Sequence, residues 1–358
     1  MQTSTHGVPL IDVSVIIPVY ETERFLRECL NSVVRQYSCQ IEILAIDDKS
    51  PDGCSDILRE FASVDDRIRI ITHTENRGLS STRNTGIDEA RGRFVFFLDS
   101  DDVVPSGALE QLLAVADRER ADIVRGHRPR WRETSGGYVL ERFAIDQKFF
   151  PVYIGNTNVA KYPQLVKSSN SLSSLYRRQF LNQRKCRFVD ELKRREDRAF
   201  FLMAFLFAEN VSILPEPVSY YRLRNNEATG APSSITQAPQ PEDALYLLRQ
   251  TEFVHHLWTK GIDKAPFSHA ELRRASELVA ADSLKILLTT TYDLAFKLES
   301  SIRDDCLTRI CALLQDLPTP IDASKLRNVQ IAPHLLSRMQ EAYAVIEGMS
   351  RERPFKAD

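Results

Sequence analysis

The stretch Arg93-Phe94-Val95-Phe96-Phe97-Leu98-Asp99-Ser100-Asp101-Asp102 is an apolar run that ends abruptly in carboxylates. A continuous run of this kind, rich in aromatic and β-branched residues, is the pattern of a strand covered on both faces, as at the centre of a parallel sheet. In open α/β sheets ligands bind beyond the carboxyl ends of the strands. Three aspartates within four positions at such an end repel one another strongly unless a cation stands among them. Hard oxygen donors suit a divalent metal, Mg²⁺ or Mn²⁺, which keeps positions open for water and substrate phosphate. The alternative is that these residues end the strand and cap a helix, since Asp is a common turn and N-cap residue. That alternative suits Asp102 best, because Pro105-Ser106 and an apolar-periodic helix (Leu109, Leu112, Leu113, Val115, Ala116) follow closely.

Upstream, Val13 to Val19 reads as a first strand, and Phe25, Leu26, Cys29, Leu30, Val33 and Val34 make one apolar stripe of a helix. A second strand, Ile41 to Ile46, runs into the turn-rich Asp47-Asp48-Lys49-Ser50-Pro51-Asp52-Gly53. Another amphipathic helix and a third strand, Ile68 to Thr72, complete a β-α-β-α-β pattern, that of a parallel sheet with right-handed crossovers. Two acidic loops therefore fall on one sheet edge. Asp47 and Asp48 either start a helix or accept hydrogen bonds from a nucleotide. Asn76 to Gly86 is a polar, glycine-bearing turn that leads into a helix. Its Arg83 either offsets the carboxylates or touches a diphosphate, or else makes a surface salt bridge.

Downstream, Ala121 to Arg125 reads as a short strand, and Trp131, Gly136-Gly137 and Tyr138 suggest a hairpin. Between Arg177 and Arg198 stand nine basic residues against four acids. This is a solvated face, or a surface for a phosphorylated acceptor or an anionic membrane. Within it Glu196-Asp197 opens a helix, Ala199 to Ala208, apolar enough to be buried, so its first turn is buried or lines a cleft. Val218 to Leu223 adds a strand carrying Arg222, with Arg224 next. Residues 226–240 read as a loop or linker, and helices are expected at Ala244 to Trp258, Ala270 to Leu298, Asp304 to Gln315 and Leu335 to Gly348. The domain expectation is thus an extension over 1–12, a sheet domain over 13–225, the linker, and a helical region over 241–358.

At 358 residues and a net charge of −2, the chain has ample length for a core and no global field for nucleic acid. No apolar run reaches the roughly 18 residues of a membrane span, and residues 1–9 lack a signal-peptide pattern. The six cysteines are scattered without a Cys-x-x-Cys pair, as in a reducing compartment. The expectation is a cytoplasmic protein, with peripheral contact at the inner face of the membrane left open. His255 and His256 are neighbours on a helix and point apart, which disfavours a shared metal.

Val13 to Tyr20, Ile46 to Asp52, Asn76 to Gly86 and Phe94 to Asp102, in this order and spacing and followed by Glu196-Asp197, resemble family 2 glycosyltransferases of the GT-A fold. The resemblance covers roughly residues 10 to 225; each motif alone is weak, and the order carries the signal. It implies a Rossmann-like, mostly parallel mixed sheet flanked by helices, and an inverting, metal-dependent transfer from a nucleotide-sugar, a UDP-sugar in most look-alikes, to a glycan or lipid-linked acceptor in polysaccharide biosynthesis. It further implies Asp101 as a metal ligand, with Asp99 as a second ligand or a contact to ribose or sugar through Asp99-Ser100-Asp101. Asp48, with Asp47, Pro18 and Tyr20, would border the nucleobase, and Arg222 or Arg224 the diphosphate. Asp197 would be the general base and Glu196 would place the acceptor. The chain departs from the family pattern at Glu21, where Asn is usual, and at Lys49, where Gly is usual. A sugar nucleotidyltransferase is a rival reading, but Tyr20-Glu21-Thr22-Glu23 lacks the glycine-rich phosphate loop of that class. A non-catalytic scaffold is another, and the intact Asp48, Asp99, Asp101 and Asp197 argue against it.

Overall fold

The apolar runs form strands β1 (Val13–Val19), β2 (Ile41–Asp47), β3 (Ile68–Thr72) and β4 (Phe94–Phe97) of the computed structural model. It describes residues 11–134, 137–167, 171–193, 195–224, 240–286 and 298–316. Helices α1 (Glu23–Val34), α2 (Cys54–Val64) and α3 (Gly78–Glu89) join these strands, and α4 (Ala108–Glu119) follows β4. All pairings among β1 to β4 are parallel, with β1 central between β2 and β4.

The two-residue period of β1 sorts the layers. Val13, Val15, Ile17 and Val19 share one core with Leu26, Leu30 and Val33 of α1, Leu58 of α2 and Leu109, Leu112 and Ala116 of α4. Ile16 points to the opposite face, onto α3. A Cβ on Gly86 would come within 2.3 Å of the Ile16 side chain, so only glycine lets α3 lie this close to the sheet. That close approach lowers Arg83, one turn earlier on α3, toward the end of β4.

The chain continues through β5 (Ile123–His127), the antiparallel hairpin β6 (Arg130–Thr134) and β7 (Gly137–Glu141), α5 (Ala144–Phe149) and β8 (Ile154–Thr157). Then come β9 (Ser174–Arg177), α6 (Arg178–Gln183), α7 (Glu196–Phe207), β10 (Val211–Pro217) and β11 (Tyr221–Arg222). The large sheet has the order β3-β2-β1-β4-β9-β5-β10-β8, and β11-β6-β7 form a small second sheet. It is mixed and mostly parallel, as expected, because β9 lies antiparallel between β4 and β5 and β8 is antiparallel at the edge.

Two strand readings shift. The expected strand Ala121 to Arg125 instead runs Ile123–His127, since its polar members are buried with partners: Arg125 pairs with Asp146, and His127 Nε2 lies 2.9 Å from the Phe150 carbonyl oxygen. The expected Val218 to Leu223 strand is only Tyr221–Arg222, paired with Arg130 and Trp131.

The described residues fall into two units, one of residues up to 238 with 263–272, the other of 239–262 with residues from 273 onward. In the second, Ala244, Leu247 and Leu248 of α8 (Asp243–Thr259) pack with Ile286 of α9 (His269–Ile286) and with Cys306 and Ile310 of α10 (Ser300–Asp316). No described helix is long and apolar enough to cross a membrane. Residues 1–10, Gly136, 225–239, the stretch from 287 to 297 and the helix expected at Leu335 to Gly348 lie outside the described residues.

Candidate active site

The ladder of β4 closes with the Leu98 N–H on the Ile16 carbonyl (3.0 Å), and the Asp102 N–H then donates to the Asp99 carbonyl (3.0 Å). This turn folds the aspartates together, so that one carboxylate oxygen from each of Asp99, Asp101 and Asp102 lies within 4.8 Å of the others. Ser100 points away from them, and its Oγ accepts the Thr22 hydroxyl at 2.9 Å. The donor set is all hard oxygen and compact, which fits Mg²⁺ or Mn²⁺.

Four arginines surround these carboxylates. Arg83, fully buried, donates to Asp99 Oδ1 and to Glu196 Oε1, each at 2.7 Å. Arg128, which follows β5, donates to Asp99 Oδ2 at 3.0 Å and to Asp102. The Arg222 backbone N–H donates to Asp102 Oδ1 (2.9 Å), its Nε to the Asp101 carbonyl (2.7 Å) and its remaining nitrogen to Glu28 (2.6 Å). Arg224 Nε donates to Asp101 Oδ2 at 2.5 Å. Phe25 and Trp131 support this strand: the Arg222 guanidinium lies 4.0 Å from the Trp131 ring centre, and Arg222 and Arg224 each lie 5.1 Å from that of Phe25. Burial works against ionising Asp99, but Arg83 and Arg128 outweigh it and hold that carboxyl below its ordinary value. Asp102, fully buried, is pushed up to about 7 by burial, with Asp101 and Asp99 adding to the rise and Arg128 opposing it.

Across Arg83 lies the first turn of α7, entered through Arg195 in the left-handed region (φ 53°). Beneath it is a packed aromatic cluster: Phe200 stacks on Phe188 at 4.1 Å and meets Phe97 and Tyr176 edge-on, while Arg83 lies 5.1 Å from the Phe188 ring centre. Such surroundings disfavour charge. Burial, with Asp197 adding to it, carries Glu196 up to about 7 against the pull of Arg83. Asp197 is raised by burial as well, against Arg83 and the Arg198 N–H, which donates to Asp197 Oδ1 at 2.8 Å.

The first acidic loop forms a neighbouring network. Asp48 accepts the Arg77 and Gly78 backbone N–H groups at the start of α3 (2.9 and 2.8 Å), and His73 Nδ1 lies 2.7 Å from its Oδ1. Helix capping and site geometry are one fact here, since the carboxylate ties β2, β3 and α3 together. A carboxylate has about four acceptor positions, of which these contacts use three. Asp47 Oδ1 accepts the Ser50 N–H (2.9 Å), Pro18 is buried at the end of β1, and Tyr20 is exposed beyond it. The two departures noted in the sequence are also explained: Glu21 (φ 51°) and Lys49 (φ 62°) both adopt the left-handed conformation that Asn and Gly take most easily.

Arg83, Asp99, Asp101, Glu196, Arg222 and Arg224 are thus joined by hydrogen bonds, and Asp197 adjoins them on α7. Arg128, Glu28, Phe25 and Trp131 complete the set; Phe25 and Trp131 read in the sequence only as helix and hairpin residues, and none of the four signals the site, because each becomes a neighbour only through the fold. The basic region is half-exposed, with only Arg198 of its described cations buried, and several of its arginines already have partners within the chain. Arg177 donates to the Ala121 carbonyl, Arg178 to that of Gly92, Arg184 to Glu209 and Arg187 to Asp88. Its density therefore does not measure a free cationic face, and Arg194 lies outside the described residues.

Residues 14–184 match the model of glycosyl transferase family 2. Over 235 residues the chain is 33% identical to the uncharacterized glycosyltransferase EpsJ of Bacillus subtilis (strain 168), which covers 63% of this chain and 64% of that one. It is 24% identical over 245 residues to the poly(ribitol-phosphate) beta-N-acetylglucosaminyltransferase TarS of Staphylococcus aureus (strain Mu50), covering 67% of this chain and 40% of TarS. The chain therefore spans less than two thirds of the length of either relative. Among solved structures, TarS residues 1–349 in complex with UDP superpose with a TM-score of 0.70 at 21% identity, over 97% of this chain and 94% of that one. The same fragment is known in complex with UDP-GlcNAc. A mannosyltransferase of Pyrobaculum calidifontis, solved with GDP-Man and Mn²⁺, reaches a TM-score of 0.51 at 14% identity, over 96% of this chain and 87% of that one. These likenesses establish the GT-A fold.

Proposed function

We propose, for a chain whose residues 14–184 match the model of glycosyl transferase family 2, an inverting transfer of a sugar from a UDP-sugar to a hydroxyl of a glycan or lipid-linked acceptor in polysaccharide synthesis. The observation that carries this reading is the pairing, through one buried arginine, of the aspartate triad at the end of β4 with two carboxyls on α7. Asp101 and Asp99 would hold a divalent cation, with Asp102 behind them, and the cation's charge would neutralise the diphosphate as it leaves. Asp197 accepts the proton of the attacking acceptor hydroxyl, and its raised pKa makes it the stronger base. Glu196, held by Arg83, orients that acceptor. Pro18, Tyr20, Asp47 and the free acceptor position of Asp48 border the base, while Arg222 and Arg224 are the cations nearest the diphosphate. The UDP and UDP-GlcNAc complexes of TarS support the donor class, and the name of TarS, a poly(ribitol-phosphate) beta-N-acetylglucosaminyltransferase, supports a polymer as acceptor.

The test is a thermal-shift panel of UDP, GDP and dTDP, each with Mn²⁺ and with EDTA. A ligand at 100 times its Kd adds about 2.7 kcal/mol of stability, visible as a shift of several degrees. Stabilisation by UDP with Mn²⁺ and not with EDTA is the expected result. Equal stabilisation in EDTA removes the metal, and no stabilisation by any nucleotide removes the donor site.

A further inference from the structure

The four arginines around the triad are not held alike. Arg83 bridges two carboxylates and is 1% exposed. Arg128 bridges Asp99 and Asp102, is 7% exposed, and lies 4.7 Å from the Tyr221 ring centre. Arg222 is fixed through its backbone N–H, Nε and terminal nitrogen, and by two aromatic rings. Arg224, two residues further on, has only Asp101 Oδ2 and the Phe25 ring as partners among the described residues, and 24% of its side chain is exposed. It is therefore the one cation of the four that can leave without opening the protein, and it sits on the carboxylate most central to metal binding.

We infer that Arg224 is an exchangeable counter-ion of the metal site: its guanidinium occupies Asp101 Oδ2 until a divalent cation takes that oxygen, and the freed guanidinium then meets the diphosphate. This rests on the metal-dependent reading above. It explains how three clustered carboxylates remain together without a metal, since an internal cation stands in for it. It also makes metal and nucleotide bind cooperatively. The metal alone must displace Arg224 from a charge-assisted bond, whereas metal with UDP gives that guanidinium a new anionic partner.

The experiment is Mn²⁺ binding to the full chain, read as loss of the free Mn²⁺ paramagnetic resonance signal, with and without UDP. It compares the wild type, Arg224→Gln and Arg224→Lys. Without nucleotide, Arg224→Gln binds Mn²⁺ on the order of tenfold more tightly than the wild type, the scale of one charge-assisted hydrogen bond. Arg224→Lys, which keeps the charge, stays near the wild type. With UDP the advantage of Arg224→Gln shrinks or reverses, because the diphosphate has lost its partner. Unchanged or weaker nucleotide-free Mn²⁺ binding by Arg224→Gln overturns the inference while leaving the metal site intact. So does an equal gain by Arg224→Lys. If no protein binds Mn²⁺ even with UDP, the metal-dependent reading falls, and this inference falls with it.

Discussion

Arg83 joins Asp99 of the triad to Glu196 on α7, so replacing it with methionine tests the electrostatics of the whole cluster. The substitution keeps a long apolar stem in a fully buried position and removes two charge-assisted bonds of 2.7 Å, to Asp99 and to Glu196. Removing one partner of a buried ion pair costs about 3–5 kcal/mol. Asp99 retains Arg128, but Glu196 loses its arginine altogether. The cost must therefore depend on pH. In the folded protein burial already raises Glu196 from its ordinary 4.5 to about 7. Between those values the folded state binds more protons than the unfolded state, so this group's stabilisation is complete at low pH and falls as pH rises through 7. Without Arg83 the folded pKa rises further. Each additional unit adds about 1.4 kcal/mol to the loss at a pH above both values and nothing at a pH below both.

Urea unfolding at pH 5.5 and pH 8.5 measures this directly. The expected loss for Arg83→Met is several kcal/mol at pH 8.5 and distinctly less at pH 5.5, where Glu196 is largely protonated and needs no cation. An equal loss at both pH values would mean that Glu196 does not carry the effect. A loss below about 1 kcal/mol at pH 8.5 would mean that the pair is not buried as described.

Asp197→Asn leaves UDP affinity nearly intact and lowers transfer by about 10² to 10⁴, seen in single-turnover assays at saturating donor; normal transfer would assign the base elsewhere. Asp101→Ala abolishes the Mn²⁺-dependent thermal shift with UDP, and an undiminished shift would move the metal off the triad. Lys49→Gly relieves a left-handed residue and, after the added freedom of the unfolded chain, stabilises by about 0.5–1 kcal/mol. That gain is read from the urea midpoint at constant slope, and a lower midpoint would show that Lys49 makes a compensating contact.

Much of the sheet was legible because its signal is local. The run Phe94 to Leu98 is apolar for the reason that β4 is buried on both faces, and the glycine of Asn76 to Gly86 that lies on Ile16 is there because no side chain fits. What stayed hidden is non-local. β9 was unread because it opens on Ser174, a fully buried polar residue paired with Arg125 of β5 and preceded by the equally buried Ser173, and a pattern of polarity cannot report burial. The basic run from Arg177 reads equally as a solvated face or a binding face because composition counts charges without their partners, and four of its arginines bond to carbonyls or acids of distant elements.

The same limit bears on the metal. Three adjacent aspartates require positive charge nearby, and the sequence is equally consistent with an ion or with side chains supplying it. The fold brings Arg83 from α3, Arg128 from the end of β5 and Arg222 with Arg224 from β11 and beyond to the same carboxylates. Charge balance alone therefore no longer demands a metal, and the case for one rests on geometry and on exchange. Asp99 and Asp102 are held by arginines too buried to withdraw, whereas Asp101 is held by one that is partly exposed. On the exchange inferred above, a divalent cation would win Asp101 first, and its affinity would be set by the difference between its own interaction with that carboxylate and the interaction Arg224 gives up.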